Sequence, residues 1–253
     1  MKKIIISGCC GRMGRVIANC ILDRNDCEVV AGVDKVAEQY ARFPVYTSIA
    51  EVKETADVII DFSHPSTLDS LLAYCKETGT ALIVATTGYS PEQTAKIKAA
   101  AEDIPVFFSF NMSLGINLLA ELAKKAVSIL GGQFDIEIVE KHHNLKIDAP
   151  SGTALMLADA INEELDEGYQ YVYDRHSQRK KRSKTEIGIH SIRGGTIVGE
   201  HDVIFAGRDE VITLSHSAAS KEVFAVGAVN AAVYMAGKPA GLYDMSDMLK
   251  ETV

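Results

Sequence analysis

The first half of the chain alternates between short β-branched runs and stretches of helical length. Parallel strands need connections of roughly a dozen or more residues, and these connections are usually helices. The alternation therefore predicts an α/β fold in which a doubly wound, Rossmann-type parallel sheet carries helices on both faces. Strands are predicted at 3–7, 28–34, 56–62, 80–86 and 105–109, and helices at 15–23, 66–78 (with Ser66 as its N-cap) and 91–101.

The pattern changes after Asn111, where strands begin to follow one another directly. Turn residues at Arg193-Gly194-Gly195 and Gly207-Arg208-Asp209 separate these strands. Strands in succession indicate a mixed or antiparallel sheet, so we expect a second, α+β domain. The elements predicted here are a helix at 114–130, a strand at 134–140, a helix at 154–165, strands between 185 and 216, and a final helix at 225–237.

Composition and charge exclude several classes of protein. The 253 residues carry a formal net charge of −8, which disfavours broad electrostatic binding to nucleic acid or anionic lipid. No apolar run reaches the roughly 18 residues that a membrane span needs. The five cysteines form no CxxC pair and none lies beside a histidine, so neither a disulfide framework nor a zinc site is predicted. We expect a cytoplasmic protein with reduced cysteines, no bound metal, and no nucleic-acid or membrane partner.

A glycine-rich loop, Gly8-Cys9-Cys10-Gly11-Arg12-Met13-Gly14, lies between the first predicted strand and helix. Backbone N–H groups of such a loop, together with the start of the helix, can hold a pyrophosphate. The spacing GxxGxxG is one residue longer than the usual dinucleotide fingerprint. Asp34 follows Gly14 by 20 residues, at the end of the next strand, where an acid that binds the adenosine ribose is expected. The alternative is a tight turn followed by an exposed acid.

The residue after this acid bears on the choice of cofactor. Asp34 favours the free 2′-hydroxyl of NAD, whereas Lys35 can pair with the 2′-phosphate of NADP. Because the two side chains favour different dinucleotides, we expect NADH or NADPH as cofactor.

The segment 140–153 combines proton donors with a helix start. His142, His143 and Lys146 supply cationic or proton-donating groups in an otherwise acidic protein. Ser151-Gly152-Thr153 opens a helix whose free N–H groups suit an anion. This set fits a small dicarboxylate, with one group left to protonate a reduced product. A metal site and a solvated loop remain alternatives, although no cysteine or obvious carboxylate completes a metal-ligand set.

A second cluster of charge, the basic run 175–184, is interpreted as a solvated loop. A nucleic-acid patch is the alternative, but the run has no interleaved aromatic residues and the chain is acidic. Four of the remaining histidines are interpreted as structural residues. His64 is expected in a turn, His190 and His216 at hydrogen-bonded positions of the sheet, and His201 in a supporting role.

The segment 140–153 resembles the signature of the 4-hydroxy-tetrahydrodipicolinate reductase family, also called dihydrodipicolinate reductases. The resemblance extends to the glycine loop, Asp34, Thr86-Thr87-Gly88, Asn111-Met112-Ser113 and the stretch 193–201. It implies NAD(P)H-dependent reduction of dihydrodipicolinate, or its 4-hydroxy form, to tetrahydrodipicolinate in the diaminopimelate route of lysine biosynthesis. It also implies a homotetramer assembled through the substrate-domain sheet.

The resemblance further implies domain bounds and site residues. Residues 1–111 and 222–253 would form the dinucleotide-binding domain, and 112–221 the substrate-binding and oligomerisation domain. Ala85 stands where the family often has glycine. The expected catalytic donors are His142 and Lys146, the expected substrate ligands are His143, Gly152 and Thr153, and the expected cofactor ligands are Gly8, Cys9, Cys10, Gly11, Arg12, Met13, Asp34, Lys35, Ala85, Thr86, Thr87, Ser109, Phe110, Asn111 and Met112.

Two other functions remain open on the sequence. One is a different hydride-transfer enzyme on a similar scaffold, such as an aldehyde or imine reductase. The other is a non-catalytic sensor that binds a dinucleotide and a protein partner. The histidine–lysine segment argues against the sensor, because a sensor needs neither a proton donor nor a clamp for a dicarboxylate.

Overall fold

The β-branched runs of the sequence become strands, and most of the amphipathic stretches become helices. The structure is a computed structural model that describes residues 1–252. The strands are β1 (Lys2–Ser7), β2 (Cys27–Val33), β3 (Val45–Tyr46), β4 (Val58–Asp61), β5 (Ala81–Val84), β6 (Pro105–Phe108), β7 (Asp135–His142), β8 (Gln170–Val172), β9 (Glu186–Arg193), β10 (Gly199–Ala206), β11 (Val211–Ala218) and β12 (Gly241–Tyr243). The helices are α1 (Arg12–Leu22), α2 (Leu68–Thr78), α3 (Pro91–Ala100), α4 (Leu114–Leu130), α5 (Gly152–Asn162), α6 (Glu222–Met235) and α7 (Met245–Thr252).

These elements form two units. Unit 1 contains Met1–Ser113 and the described residues from Glu222 onward, and unit 2 contains Leu114–Lys221. None of the helices within residues 1–252 is long and apolar enough to span a membrane.

The sheet of unit 1 is parallel throughout and has the order β12-β6-β5-β4-β1-β2-β3. Its central strand β1 is buried on both faces: Ile4 and Ile6 pack toward α1 and α6, whereas Ile5 packs toward α2 and α3. The predicted Rossmann-type sheet is therefore confirmed. Chain order reverses between β1 and β4, so the loops that follow the strands meet at one edge, where open α/β sheets bind ligands.

The sheet of unit 2 is mixed, as predicted, with the order β11-β10-β7-β9-β8. β7 and β9 are parallel, and β10 is antiparallel to both β7 and β11. Ile138, Val203 and Phe205 are fully buried on the face that α4 and α5 cover. Because side chains alternate along a strand, Ile204 and Val211 lie on the opposite, open face.

Several local predictions were wrong or incomplete. Ser66 is not the N-cap of α2; it lies in the single 3₁₀ turn Pro65–Thr67, and the His64 side chain caps that turn by accepting a hydrogen bond from Ser66 N. Pro65 at the first position of the turn explains the early start. The sequence analysis also missed β3, β8 and β12, because a strand of two or three residues is too short to show alternation. The helix α7 was missed as well.

Candidate active site

Two glycines of the loop between β1 and α1 are required by close backbone contacts. Gly8 has φ +81°, and a Cβ there would lie 2.6 Å from the carbonyl oxygen of Phe62. A Cβ on Gly14 would lie 2.2 Å from the carbonyl oxygen of Gly8. No larger residue fits at either position without moving the backbone, so the loop presses closely against the start of α1.

The amino end of α1 has the character of an anion site. Its N-cap, Gly11, makes no side-chain capping hydrogen bond, and the first turn contains no acidic residue. The N–H groups of Arg12 and Met13 therefore belong to a helix end that carries partial positive charge and is not neutralised by its own side chains. These residues fit the pyrophosphate of a dinucleotide.

Asp34 follows β2 and is oriented by the loop. Its Oδ2 accepts a hydrogen bond from Cys10 N at 2.9 Å, and its Oδ1 accepts one from Lys35 N at 2.8 Å. Asp34, Lys35, Gly8 and His64 line a cavity of about 310 Å³ at this edge of the sheet. The carboxylate and the lysine thus lie together beside the phosphate loop, which is the arrangement that binding of an adenosine ribose requires.

The loop after β5 carries the predicted nicotinamide residues and is connected to a buried acid. Ala85 is half-buried and Thr86 is buried. Thr86 Oγ1 donates to Asp61 Oδ2 at 2.8 Å, and Tyr89 OH donates to the same oxygen at 3.2 Å. Ser63 Oγ donates to Asp61 Oδ1 at 2.5 Å. Asp61, at the end of β4, therefore joins the loops that follow β4 and β5.

The last predicted cofactor ligands follow β6. Ser109 Oγ donates to the carbonyl oxygen of Asn111 at 3.1 Å, and Asn111 Oδ1 accepts from Ser113 N at 2.8 Å. Phe110 is 87% exposed, whereas Asn111 and Met112 are buried. Thr87, in the neighbouring loop, is exposed. All of these residues lie at the edge where the strands of unit 1 end.

In unit 2, β7 continues two residues further than predicted and ends at His142. Glu140 and His142 are two residues apart on one strand, so their side chains share a face. His142 Nδ1 lies 2.6 Å from Glu140 Oε2, and because a carboxylate can only accept, Nδ1 carries the proton. Nε2 is therefore the nitrogen available to exchange a proton with a ligand.

Glu140 has no exposed surface and is surrounded by donors. Arg193 Nη1 and Nη2 donate to its two oxygens at 2.7 Å each, and Ser151 N donates to Oε1 at 3.1 Å. Burial by itself would raise the pKa of Glu140, but the hydrogen bonds from Arg193, Ser191 and His142 outweigh it and hold the pKa at about 2. The carboxylate is charged at neutral pH.

Burial lowers the pKa of His142, and Glu140 opposes this shift only in part. The imidazole is therefore mostly neutral at neutral pH in the free protein. The positive charge of Lys146 contributes to the same lowering of the His142 pKa. A Cβ on Gly199 would lie 3.2 Å from His142 Nε2, so glycine leaves room beside the reactive nitrogen.

The helix start at α5 adjoins this cluster. Ser151 is the N-cap: its Oγ accepts from Ala154 N at 3.2 Å and shares a hydrogen bond of 3.1 Å with His201 Nε2. The His201 ring lies 5.3 Å from the ring of His142, centroid to centroid. Burial, and after it the neighbouring imidazole of His142, with which a second positive charge would be unfavourable, lowers the pKa of His201 to about 4, so this ring is neutral.

The other predicted substrate residues lie on the loop between β7 and α5 and in the first turn of α5. Lys146 Nζ pairs with Asp148 Oδ2 at 2.9 Å. His143 is half-buried, and Gly152 faces open space, since no atom lies within 4 Å of where its Cβ would be. Thr153 follows Gly152 in the same turn. The structure thus brings His142 and the amino end of α5 together through Ser151 and Glu140.

Sequence analysis missed Glu140 and Arg193 as functional residues. Glu140 could have been found from its spacing, because it lies two residues before His142 in a predicted strand. Arg193 could not, because its carboxylate partner is 53 residues away along the chain. Asp61 was missed as well, although an acid at the end of an apolar strand is an unusual placement.

Two structural predictions about unit 2 also need correction. Arg175 and Arg182 of the basic run form ion pairs with Glu137, so this part of the run is not a solvated loop. His190 Nε2 bonds Glu137 Oε2 at 2.7 Å, as predicted. His216 Nδ1, in contrast, is buried and has no hydrogen-bond partner among the described residues.

A parallel sheet with a glycine-rich loop at the start of α1, together with a second unit in which a buried carboxylate orients a histidine, is typical of NAD(P)H-dependent oxidoreductases. Within that class, two models of one protein family match the chain. The family model for the N-terminus of dihydrodipicolinate reductase matches residues 2–112, and the model for its C-terminus matches residues 115–249. The chain belongs to the dihydrodipicolinate reductase family.

Individual relatives agree with this assignment. The chain is 53% identical over 251 residues to the 4-hydroxy-tetrahydrodipicolinate reductase of Caldanaerobacter subterraneus subsp. tengcongensis, covering 99% of each chain. It is 51% identical to the enzyme of the same name from Clostridium tetani, covering 98% of this chain and 97% of that one. In fold it is similar to a dipicolinate-bound dihydrodipicolinate reductase from Paenisporosarcina sp. TG-14, with TM-score 0.79, 24% identity, and coverage of 96% and 97%.

Proposed function

We propose that this chain reduces dihydrodipicolinate, or its 4-hydroxy form, to tetrahydrodipicolinate with NADH or NADPH, in the diaminopimelate route of lysine biosynthesis. The shared name of the full-length relatives supports the reaction. The observation that carries the chemistry is the buried Glu140, which holds His142 beside the amino end of α5. That arrangement offers a proton and an anion site in one place.

In this proposal unit 1 binds the dinucleotide, and unit 2 binds the substrate. The bounds expected from the sequence, 1–111 with 222–253 and 112–221, put the first boundary two residues before the one between the two units, which falls after Ser113. The loop 8–14 and the start of α1 receive the pyrophosphate, and Asp34 and Lys35 receive the adenosine ribose. The cofactor, when bound, supplies the hydride. The loops after β5 and β6 line its nicotinamide end.

The substrate is bound through its carboxylates. Dipicolinate, which the Paenisporosarcina enzyme binds, is a planar dicarboxylate. A carboxylate of that kind suits the N–H groups of Gly152 and Thr153 at the start of α5. Lys146 pairs with an exposed carboxylate, Asp148, in the free protein and can exchange it for a substrate carboxylate. His143 completes the set of donors.

His142 supplies the proton that accompanies hydride addition, with Lys146 as the second donor. The imidazole is mostly neutral in the free protein, so it must gain a proton when substrate binds. Two substrate carboxylates bring negative charge next to His142 and raise its pKa, because opposite charges stabilise the imidazolium. Glu140 balances the imidazolium at Nδ1, and Nε2–H is donated to the reduced ring.

Assembly and location are also part of the proposal. We infer a homotetramer formed through the open face of the unit 2 sheet, where Val211 is 62% exposed and Ile192 is 46% exposed. No helix of unit 2 covers this face in the described chain. A reduction that consumes NADH or NADPH for biosynthesis suits the cytoplasm.

The test is absorbance at the nicotinamide band when the purified protein meets freshly made dihydrodipicolinate. A separate synthase supplies the substrate from pyruvate and aspartate semialdehyde, with NADH and NADPH assayed in parallel. We expect oxidation of both cofactors. Binding of cofactor without oxidation would favour the sensor, and oxidation with simple aldehydes or imines but not with this substrate would favour another hydride-transfer enzyme.

A further inference from the structure

We propose that Cys9, Cys10 and Asp34 form a site for a thiophilic divalent cation of the Zn²⁺ type, and that cation and dinucleotide exclude each other there. The two thiols and the carboxylate offer donor atoms that all lie within 4.8 Å of one another. Thiolate sulfur with one carboxylate oxygen is a donor set that zinc accepts.

The sulfur geometry agrees with tetrahedral coordination. Cys9 Sγ and Cys10 Sγ are 3.8 Å apart. Two ligands on a tetrahedral ion with Zn–S bonds of about 2.3 Å lie about 3.8 Å from each other. The sulfur pair therefore needs no rearrangement. A carboxylate oxygen on the same ion would lie about 3.5 Å from each sulfur. In the free protein an Asp34 oxygen lies within 4.8 Å of both sulfurs.

The backbone that carries these ligands is held in place before any cation arrives. Tyr40 OH donates to the carbonyl oxygen of Cys9 at 2.7 Å, and Cys10 N donates to Asp34 Oδ2 at 2.9 Å. Cys9 Sγ packs against Gly32 so closely that a Cβ added to Gly32 would lie only 2.6 Å from the sulfur. Because the loop is already ordered, cation binding costs little conformational entropy.

The site is reachable from one side. Cys9 is buried, but Cys10 and Asp34 are half-exposed, and Asp34 lines the cavity beside the loop. Arg15 on α1 donates from Nε to the carbonyl oxygen of Cys10 at 3.1 Å, and its guanidinium is paired with Glu38 at 2.8 Å, which reduces its repulsion of an incoming dication. Water would supply the fourth ligand of the ion.

Spacing alone does not reveal such a site. The thiol ligands of structural zinc sites are usually separated by two to four residues, whereas Cys9 and Cys10 are adjacent. The third ligand comes from the end of the next strand, β2. This explains why the sequence analysis expected no metal.

Exclusion of the dinucleotide rests on the proposed function, whereas cation binding does not. A cation on Asp34 takes the carboxylate that the adenosine ribose needs, and it lies within the loop that receives the pyrophosphate. The cation should therefore act as a competitive inhibitor with respect to NADH or NADPH.

Cadmium is the probe for binding, because its thiolate complexes absorb in the ultraviolet. The full-length protein, kept reduced with a non-thiol reductant, is titrated with Cd²⁺ and the charge-transfer band is followed. We expect saturation at one ion per chain. Cys10→Ser should weaken binding at least about tenfold, whereas Cys20→Ser, on α1 and outside the cluster, should bind as the parent does.

Three results would overturn the cation site: no band in the parent protein, equal binding by Cys10→Ser, or equal loss in Cys20→Ser. If Cys10→Ser fails to fold, Asp34→Asn tests the same ligand set. A second titration measures NADH affinity with and without Zn²⁺. Unchanged NADH affinity at saturating Zn²⁺ would overturn the exclusion. No NADH binding in the absence of cation would instead contradict the proposed function and leave the Cd²⁺ result standing.

Discussion

The Glu140 carboxylate accepts hydrogen bonds from His142, Arg193 and Ser151 N, and it has no exposed surface. At the scale of single residues, this buried charge sets the tautomer of His142 and partly opposes the effect of burial on its pKa. It also holds the amino end of α5 next to the imidazole. One side chain thus connects the proposed proton donor to the proposed anion site.

His142→Gln removes the proposed proton donor and keeps a side chain of similar length. We expect kcat to fall about 100-fold or more, with the Kd for NADH nearly unchanged. Lys146→Ala should instead lower kcat and raise the KM for substrate. Steady-state kinetics and NADH fluorescence titration measure these quantities. Unchanged turnover in His142→Gln would remove His142 from the mechanism.

Glu140→Gln keeps the shape of the side chain but removes its charge. The pKa of His142 should fall further, so the alkaline loss of kcat should begin at a lower pH. Breaking a buried ion pair costs about 3–5 kcal/mol, so unfolding should also need less denaturant. Glu137→Gln, on the other face of β7, is the control for the pH profile of kcat. Identical pH profiles in parent and Glu140→Gln would contradict the assignment.

The same variant tests the dependence of stability on pH. The folded protein holds the pKa of Glu140 at about 2, below the ordinary value. The charged carboxylate therefore contributes stability above its unfolded pKa, and this contribution is lost as pH falls toward about 2. We expect the parent to lose more unfolding free energy over this acid range than Glu140→Gln does, as measured by denaturant melts. Parallel losses would show that Glu140 is not the group responsible.

Lys35 is the residue that we propose to pair with the 2′-phosphate of NADPH. Lys35→Ala removes an exposed charge beside Asp34, so the KM for NADPH should rise about tenfold, equivalent to about 1.4 kcal/mol. The KM for NADH should change little, since the free 2′-hydroxyl needs only Asp34. The variant Lys53→Ala, elsewhere on the surface of unit 1, is the control. Equal changes for both cofactors would place Lys35 away from the ribose.

At the scale of elements, Asp61 joins two loops at the edge of unit 1 where the strands end. It closes β4, and its oxygens accept hydrogen bonds from Ser63, Thr86 and Tyr89. Two loops are thereby held at a fixed distance, one after β4 and one after β5. Thr86 is among the residues proposed to line the nicotinamide, so Asp61 is a positioning residue for that end of the cofactor.

Asp61→Asn replaces a buried acceptor with an amide, so at least one hydroxyl donor loses its partner. We expect a loss of about 1–3 kcal/mol in unfolding free energy. NADH affinity should fall, whereas the affinity for AMP, which has no nicotinamide, should stay close to that of the parent. Asp57→Asn, at the opposite end of β4, is the control. Equal weakening of NADH and AMP would indicate a general loss of structure.

At the scale of the whole molecule, the two sheets differ in which of their surfaces the helices leave uncovered. The parallel sheet of unit 1 has helices on both faces, so its binding surface is the edge where strands end. The mixed sheet of unit 2 has α4 and α5 on one face only. Its other face carries Val211 and Ile204, and contact with further copies of the chain would bury them.

Val211→Asp places a charge on that open face. If the tetramer forms through this face, light scattering after size exclusion should show a smaller species than the parent. The control is Val226→Asp, which introduces the same charge at a 45% exposed position of α6. A Val211→Asp protein with the mass of the parent would place the interface elsewhere.

The sequence by itself determined both kinds of sheet, the glycine-rich loop followed 20 residues later by Asp34, and the segment that contains His142. These features follow from local rules: alternation sets strand and helix, and glycines mark close backbone approach. Only the tertiary structure decided the distant partners of Glu140 and of Asp61. Arg193 reaches Glu140 across 53 residues, and Thr86 reaches Asp61 across 25. Such pairs depend on which strands lie side by side, and strand order is a property of the folded chain rather than of any local pattern.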